Sequence, residues 1–374
     1  MARLGDIFTI SSGGTPNKNE TSYYESGTIP WIKTGDLKGK YVSKEVEYIT
    51  EEGLNNSSAK LFPNNTVLVA MYGATIGACS ILPYEASTNQ ACAAFLPCED
   101  VIPEYLYYFL NSKKDQFIKD GVGGAQPNIS AGYLKNVNFD FVLLDEQKKI
   151  IDVLNKVDNL ISSREQQLSK LDELVKSRFI ELFGEVEANV KGFPMKRMDE
   201  CCKFIGGAQP DKSHFEYEKT DDNIRLIQIR DYKSDRFITY IPKSLARKTC
   251  TASDIMIGRY GPPIFQILGG IEGAYNVALM KAVPTAEFNT EYFRYFLKSE
   301  KLLNYLESFS QRTAGQDGIQ IDKLNAYPCF VPPIELQEQF SAFVEQVDKS
   351  KFEIQQSLEK LETLKKAMMQ KYFG

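Results

Sequence analysis

A chain of 374 residues that is 43% apolar and 12% aromatic can bury more than one core, so we expect two or three domains. Its formal net charge of −5 argues against a protein that binds polyanions over its whole surface. The start of the chain has neither the basic segment nor the apolar core of a signal peptide, and no apolar run approaches the roughly 18 residues that a membrane span needs. The sequence therefore predicts a soluble, cytoplasmic protein with no membrane partner.

The signatures of metal sites and of catalysis are missing. The 7 cysteines form no CxxC pair and His214 is the only histidine, so zinc-ligand spacing is absent. We expect reduced, mostly buried thiols and a His214 on a surface turn, because no nearby motif gives it a nucleophile or a carboxylate. The GPP of 261–263 resembles the Asn/Asp-Pro-Pro-aromatic motif of amino methyltransferases, but Gly261 cannot accept a hydrogen bond from an amine. The GVGGAQ of 121–126 is one residue short of GxGxxG and follows a predicted helix, so the sequence predicts no enzyme and no bound cofactor.

In chain order, the first elements indicate mixed α and β structure. Short apolar runs at 66–73 and 91–96 lie between turn residues and predict strands, whereas the patterns of 104–119 and 290–309 predict helices. Two charged segments place apolar residues at spacings of three and four and predict long amphipathic helices of roughly 60 Å each, at about 1.5 Å per residue. The predicted division is a first globular domain at 1–144, a first long helix at 145–184, a second globular domain at 185–334 and a second long helix at 335–374.

The chain contains an internal repeat, in which its second half resembles its first half. Residues 145–184 align with 335–374 without a gap, at an offset of 190 and with 11 identical residues, and EYLYYFLNSKK at 104–114 answers EYFRYFLKSEK at 291–301. GGTP at 13–16 answers GAQP at 207–210. A helix with one apolar seam needs a partner, so we expect the two long helices to pack as a coiled coil; the alternative is that each helix packs on its own globular domain.

The same five letters, GGAQP, occur at 123–127 and at 206–210, but they do not correspond in the frame of this repeat. They mark two different classes of loop, in which a residue without a Cβ turns sharply or lets the backbone approach another group closely.

Polar and basic residues occupy matching loops of both copies, and this favours duplex DNA as a partner. Arg pairs with guanine edges, Gln with adenine edges, and Lys contacts phosphates. Two such modules on stiff helices suit two separated stretches of duplex. The alternative is that these residues only shape and cap their loops. The candidate DNA contacts are Lys33, Thr34, Asp36, Lys38, Lys40, Tyr72, Gly73, Thr75, Gln126 and Asn128 in the first copy, and Gln228, Arg230, Lys233, Arg236, Arg259, Tyr260 and Gln316 in the second.

Over essentially its whole length, the chain resembles the specificity subunits of type I restriction-modification systems. The features that carry the resemblance are LGDIFTISSGGTP and IPWIKTGDL, the MYGATIG and RYGPPIF loops, STNQACAAF and AYNVALM, the EYLYYFL and EYFRYFL helices, GAQPNIS and AGQDGIQ, and the LLDEQKKI and PPIELQEQF segments before the long helices.

The resemblance implies an α+β protein with two pseudo-symmetric target recognition domains, joined by two antiparallel helices that form a coiled coil. Each domain would read one half of a bipartite double-stranded DNA sequence, and the helices would set the spacer between the halves. It also implies two methyltransferase subunits, which use S-adenosylmethionine, and ATP-dependent restriction and translocation subunits, so those cofactors belong to the partners. The first copy lacks both prolines of PPIELQEQ, so the start of its helix is expected to differ in detail. Residues 1–144 hold 11 basic and 15 acidic residues, a net charge of −4, and this suggests that the methyltransferases supply part of the phosphate contact.

Three other functions remain open. A coiled-coil scaffold without a DNA role has no need for two different polar faces on duplicated domains. The second is a specificity subunit of a methyltransferase-only system, which would have the same DNA and methyltransferase partners but no restriction subunit. A stand-alone modification enzyme is disfavoured by the missing cofactor motif.

Overall fold

The chain folds into two compact units in a computed structural model that describes residues 2–122, 128–139, 142–186, 188–261, 263–309 and 318–374. The first unit comprises Met1–Gln166 and Gln355–Gly374, and the second comprises Gln167–Ile354. Each unit therefore contains parts of both long helices.

The strands of the first unit are short. They are β1 Ala2–Arg3, β2 Ile10–Ser12, β3 Ile29–Ile32, β4 Glu47–Ile49, β5 Leu61–Phe62, β6 Val67–Ala70, β7 Cys79–Ile81, β8 Ala86–Thr88, β9 Cys92–Phe95 and β10 Asn138–Phe139. The helices that accompany them are α1 Leu4–Ile7, α2 Glu51–Asn55, α3 Pro103–Ser112, α4 Lys114–Asp120, α5 Ala131–Lys135 and the long α6 Leu144–Phe183.

The second unit repeats this series. Its strands are β11 Met195–Arg197, β12 Cys202–Gly206, β13 Asn223–Ile227, β14 Tyr240–Pro242, β15 Thr249–Cys250, β16 Ile255–Gly258, β17 Gln266–Gly269, β18 Gly273–Tyr275, β19 Leu279–Pro284 and β20 Pro328–Phe330. Its helices are α7 Met198–Cys201, α8 Thr290–Leu297, α9 Glu300–Ser308, α10 Ile321–Ala326 and the long α11 Ile334–Phe373.

The two units share one topology. In the first, the sheets have the strand orders β1-β10, β2-β9-β6-β7 and β4-β3-β8-β5; in the second they are β11-β20, β12-β19-β16-β17 and β14-β13-β18-β15. Every strand of the second unit occupies the place of the strand ten positions earlier. The parallel pairing between β3 and β8 is also repeated, between β13 and β18. The predicted repeat and the α+β class are confirmed.

The central sheet of each unit is buried on both faces, which explains its uninterrupted apolar strands. In β6, Val67 and Val69 face a core of helices, while Leu68 and Ala70 face the second sheet. In β16, Ile255 and Ile257 contact the helical core and Met256 the second sheet. The predicted strands at 66–73 and 91–96 are confirmed as β6 and β9.

The two predicted helices that follow the sheets are each broken in the middle. Residues 104–119 form α3 and α4, which meet at Lys113, and residues 290–309 form α8 and α9, with Ser299 in an extended conformation between them. The apolar period continues across both breaks, so the pattern alone gives no sign of them.

The two long helices begin at equivalent residues, Leu144 and Ile334, although the first copy lacks the two prolines. A buried glutamine fixes each start. Gln147 accepts a hydrogen bond from the Ile102 backbone and donates to the carbonyls of Asp100 and Val142, at 2.8 to 2.9 Å. The expected difference at the start of the first helix is therefore wrong.

The second copy makes the same contacts at its own helix start. Gln337 accepts a hydrogen bond from the Asn289 backbone at 2.8 Å and donates to the carbonyls of Glu287 and Pro332 at 3.0 and 2.8 Å. Gln147 and Gln337 are both 0% exposed. Because a buried amide left unpaired is costly, each glutamine holds its helix to the domain that precedes it.

The long helices pack against each other in an antiparallel arrangement. Within the first unit, Lys365 of α11 pairs with Asp158 of α6 at 2.7 Å. Within the second unit, Lys351 of α11 pairs with Asp172 of α6 at 2.5 Å. The residue number therefore rises along one helix as it falls along the other, and the predicted coiled coil is confirmed.

Candidate functional site

In the first unit, the loop between β3 and β4 begins with a capped turn. The backbone N–H of Lys33 donates to the Asp36 carboxylate at 2.8 Å, which closes the 3-10 turn Thr34–Asp36. The Lys33 ammonium forms an ion pair with Glu47. Asp36 therefore shapes the loop, while Lys38 beyond it is exposed.

Lys40 turns away from the loop surface and contacts the long helix α6. Its ammonium lies 2.6 Å from the Tyr108 hydroxyl and 3.6 Å from Asp158, and it also bonds to the Asn155 side chain. Burial lowers the pKa of Lys40, and the Asp158 charge acts in the opposite direction. Lys40 is occupied inside the unit, so we leave it out of the proposed DNA surface.

The equivalent loop of the second unit, between β13 and β14, starts with the same turn. The Gln228 N–H donates to Asp231 at 3.1 Å, and the turn Ile229–Tyr232 follows. Asp231 lies between Arg225 and Arg230, at 3.7 and 3.9 Å. Burial raises the pKa of Asp231 despite these two cations. As with Asp36, the carboxylate has a structural role here.

The rest of this loop projects cations and an aromatic ring. The Arg236 guanidinium lies 5.2 Å from the centre of the Phe237 ring, and that of Arg230 lies 6.0 Å from it. Phe237 is 58% exposed and Tyr217 is 74% exposed. The Arg230 guanidinium donates to the Thr239 hydroxyl, with 3.1 Å between Nη2 and Oγ1.

These side chains line a shallow cavity of about 530 Å³, which we call the Arg–Phe pocket. Its lining residues are Tyr217, Lys219, Arg230, Asp235, Arg236, Phe237, Ile238 and Tyr240. The three cations outnumber the single Asp235 carboxylate, and solvent-exposed rings lie between them. A cavity with this lining stacks flat aromatic groups and attracts anions, which is the chemistry of a nucleotide.

Sequence reasoning identified Arg230 and Arg236 in this pocket but missed Tyr217, Lys219, Phe237 and Tyr240. Between 224 and 248 the sequence has seven basic and two acidic residues, and this excess of positive charge pointed to the loop. A second signal was present in the adjacent Arg236 and Phe237, because an aromatic residue next to a cation in a polar loop is poorly explained by core packing. Lys233 is exposed on the same loop, and Gln228 reaches Thr239 at 3.3 Å.

A second pair of equivalent loops follows β6 and β16. In the first unit, Tyr72 is 44% exposed and forms a β-bridge with Asn128, while Gly73 has a φ of 67° at the start of the turn that includes Thr75. The structure therefore brings Tyr72 and Asn128 together. Gln126 lies outside the described residues, as does the GGAQP of 123–127.

The second unit repeats this bridge between Tyr260 and Gly318. The Arg259 guanidinium lies 5.3 Å from the centre of the Tyr260 ring and donates to the Val277 carbonyl at 3.3 Å. Both side chains are partly exposed. Gln316 lies outside the described residues.

The glycines of GGTP and GAQP are required by packing inside the protein. A Cβ on Gly13 would lie 2.0 Å from the Thr88 carbonyl oxygen, and a Cβ on Gly207 would lie 2.0 Å from that of Asn276. The close approach that the sequence suggested at these loops is thus to the chain's own backbone.

The remaining sequence predictions have direct outcomes. All 7 cysteines are free and only Cys98 is not buried. His214 ends an exposed 3-10 turn, as predicted. Within the described ranges, no cluster of His, Cys, Asp or Glu has the arrangement of a metal site. Nor does any described helix combine the length and the apolar character needed to cross a bilayer.

Comparison with known proteins shows which family the chain resembles. Residues 1–173 match the model of the type I restriction modification DNA specificity domain. The EcoR124I/EcoR124II specificity subunit of Escherichia coli is 29% identical over 181 residues, which are 47% of this chain and 45% of that protein. The MjaIX specificity subunit of Methanocaldococcus jannaschii is 28% identical over 271 residues, 62% of either chain. These matches thus span about half to three-fifths of the two relatives.

Other relatives match over more of the chain. The StySPI specificity subunit of Salmonella potsdam is 19% identical over an alignment of 412 positions, which covers 100% of this chain and 88% of that protein. Among solved structures, the S subunit of a type I system from M. genitalium has a TM-score of 0.57 at 14% identity, covering 100% of this chain and 95% of its own. A chain from a study of type I R-M complex assembly has a TM-score of 0.62 at 17% identity, covering 100% and 96%.

The two structures show that the fold is that of type I specificity subunits. With the family match over residues 1–173 and the curated relatives, the chain is similar to type I restriction-modification specificity subunits.

Proposed function

We propose that this protein is the DNA-recognition subunit of a type I restriction-modification complex, and that it has no catalytic activity of its own. Each globular domain, at 1–144 and at 185–334, reads one half of a bipartite duplex sequence. The observation that carries this proposal is the Arg–Phe pocket. It places exposed rings and guanidinium groups on a loop that the duplicated fold provides once in each unit.

Contacts to bases and to phosphates are divided among the loop residues. Arg230 is fixed by Thr239 and Asp231, so its guanidinium is directed before DNA arrives and suits a guanine edge. Lys233 and Lys219 are flexible cations that suit phosphates. In the first unit, Lys38, Tyr72, Thr75 and Asn128 are the available contacts, and their smaller charge leaves more of the phosphate contact to a partner.

The long helices, at 145–184 and 335–374, act as the spacer between the two halves of the target. Each continuous helix of 40 residues spans about 60 Å, at about 1.5 Å per residue. This length exceeds the roughly 34 Å, or about 10 base pairs, that separate half-sites on one face of a duplex. We further propose that two methyltransferase subunits and the restriction and translocation subunits assemble with this protein and carry the catalysis and its cofactors.

The decisive experiment is the methylome of a host that expresses this chain with its cognate methyltransferase. We expect one bipartite motif that is methylated at adenine. Arg230→Ala should relax or abolish recognition of one half of that motif only, whereas His214→Ala, a change on an exposed turn, should leave both halves intact. The absence of a bipartite motif, together with no DNA binding in an electrophoretic shift with the methyltransferase present, would leave a scaffold as the better description.

The spacer role has its own test. Seven residues inserted at the middle of both long helices keep the apolar seam in phase and add about 10 Å, or about three base pairs. We expect the methylated motif to keep both half-sequences and to gain a longer spacer. An unchanged spacer would contradict the role of the helices as a ruler.

A further inference from the structure

The second unit contains a cleft that the first unit fills with its own chain. This cleft has a volume of about 930 Å³ and is lined by α8, α9, the end of β17 and parts of both long helices. Gly269, Tyr295, Lys298, Asp348 and Lys351 are among its lining residues.

The corresponding place in the first unit is covered by the segment Lys40–Val42. Ile81 at the end of β7 donates its N–H to the Lys40 carbonyl at 2.8 Å and accepts from the Val42 N–H at 3.1 Å. Ile81 is 0% exposed as a result. The segment therefore acts as a short extra strand on the free edge of β7.

Gly269 is the counterpart of Ile81, since Ile81 pairs with Val67 of β6 and Gly269 pairs with Ile255 of β16. Gly269 is exposed, and a Cβ placed on it would meet no atom within 4 Å. Among the described residues, no backbone hydrogen bond joins Gly269 to a covering loop. The edge of β17 is thus open where the edge of β7 is occupied.

The charge of the site is also changed between the units. In the first, the Lys40 ammonium lies 4.7 Å from the centre of the Tyr108 ring. In the second, the equivalent ring is that of Tyr295, and the ammonium of Lys298 lies 4.5 Å from its centre. The ring that the covering segment's lysine contacts in the first unit is therefore contacted by Lys298 in the second.

Lys298 differs from the other cations of the cleft in lacking an acidic partner. Lys176, Lys351 and Arg294 pair with Glu300, Asp172 and Glu291 at 2.5 to 3.0 Å. No carboxylate of the described residues forms an ion pair with Lys298. Its side chain is exposed to solvent. Desolvation by the surrounding protein and the charges of Arg294 and Lys351 lower its pKa, whereas the charges of Glu291 and Asp348 act in the opposite direction. An incoming carboxylate would pair with this cation, whereas an incoming lysine would be repelled.

We propose that the cleft binds an extended segment of a partner protein, which lies beside Gly269 as an added strand and sets an acidic side chain against Lys298. Strand addition to an open edge is a common mode of peptide recognition, in which backbone bonds give affinity and side-chain pockets give specificity. The site is distinct from the loops proposed to contact DNA and does not depend on that function.

The test uses two fluorescein-labelled pentapeptides and the full chain. One has the sequence of residues 39–43, Gly-Lys-Tyr-Val-Ser, and the other replaces its lysine with glutamate. In fluorescence anisotropy titrations, we expect the glutamate peptide to bind about tenfold more tightly, or about 1.4 kcal/mol. Lys298→Glu should reverse this preference, and Lys203→Glu, an exposed change on the opposite edge of the same sheet, should leave it unchanged.

A variant without the outward N–H tests the location. Gly269→Pro removes the N–H whose counterpart on Ile81 donates to the Lys40 carbonyl, at an edge position where proline is tolerated, and should weaken binding of the glutamate peptide about tenfold without loss of stability in thermal unfolding. The proposal is overturned if neither peptide binds at about 1 mM. A dissociation constant of that size corresponds to a binding free energy of only about −4 kcal/mol. Equal binding of both peptides, or an unchanged preference in Lys298→Glu, also overturns it. Self-association that Lys298→Glu abolishes would show that the occupant is a second copy and would overturn the assignment to a partner.

Discussion

The loop of residues 33–46 in the first unit and the loop of residues 228–239 in the second begin in the same way and end differently. Both leave equivalent strands, and both start with a turn that an aspartate caps, Asp36 or Asp231. The first loop then folds back on its own unit through Lys40, while the second exposes Arg236 and Phe237. A duplicated fold can therefore keep its framework and assign the same loop to internal packing in one copy and to a surface pocket in the other.

The largest expected effect is a loss of stability when the framework that both units share is disturbed. Gly13→Ala and Gly207→Ala would each place a Cβ 2.0 Å from a backbone oxygen, so each should destabilise its unit by about 3 kcal/mol or more. Urea unfolding measures the loss. Gly35→Ala is the matched control, since a Cβ there meets nothing within 4 Å. A glycine variant as stable as that control would break the equivalence of the two units.

The next prediction concerns the exposed loop. Phe237→Ala removes the ring that stacks in the Arg–Phe pocket and should weaken binding to a duplex carrying the target by about 1 to 3 kcal/mol, or a factor of about 5 to 160. The measurement is an anisotropy titration of the methyltransferase complex with labelled DNA at fixed salt. Phe352→Ala changes a ring of α11 that is 64% exposed and should have no effect. Equal losses in both variants would remove the pocket from the interface.

The third prediction concerns the closed loop. Lys40→Met removes a cation from Asp158 and from the Tyr108 hydroxyl, and should reduce the free energy of unfolding by about 1 to 2 kcal/mol. Lys38→Met, two residues away and exposed, should change it by less than about 0.5 kcal/mol. If Lys40→Met instead left stability intact and weakened DNA binding, Lys40 would return to the DNA surface as the sequence suggested.

The smallest expected effect is a dependence on pH. Burial alone would raise the pKa of Asp158, but hydrogen bonds from Lys365 and Tyr108 and the charges of Lys365 and Lys40 hold it below its ordinary value. The ionised carboxylate therefore adds stability above its ordinary pKa of about 3.9, and this is lost as the pH falls through the lowered value. Urea midpoints of the wild type and Asp158→Asn should differ at pH 6 and converge as the pH falls through the lowered pKa of Asp158. A constant difference would contradict this account.

The sequence predicted the framework well because duplication doubles the signal. The match at an offset of 190 identifies both long helices, and the apolar seam predicts that they pack together. The sequence did not predict the breaks within helices 104–119 and 290–309, because the apolar period runs across them.

The candidate site was harder to predict, because cations of equal appearance have different fates. Lys38 and Lys40 are two residues apart, yet one is exposed and the other bonds to a helix more than 100 residues away along the chain. Only the tertiary fold decides which lysine is free. The sequence did point to the loop of 228–239 through its excess of charge, but the aromatic members of the pocket carry no charge and were missed.

The ion pairs between the long helices limit how such a protein can change its length. Asp158 and Asp172 are 14 positions apart on α6, and Lys351 and Lys365 are 14 positions apart on α11. An insertion in one helix alone would leave one of the two pairs without its partner, whereas equal insertions in both would preserve each pair. Length variants that keep both ion pairs therefore carry matched insertions in the two halves of the gene, and in them the two helices lengthen or shorten in concert.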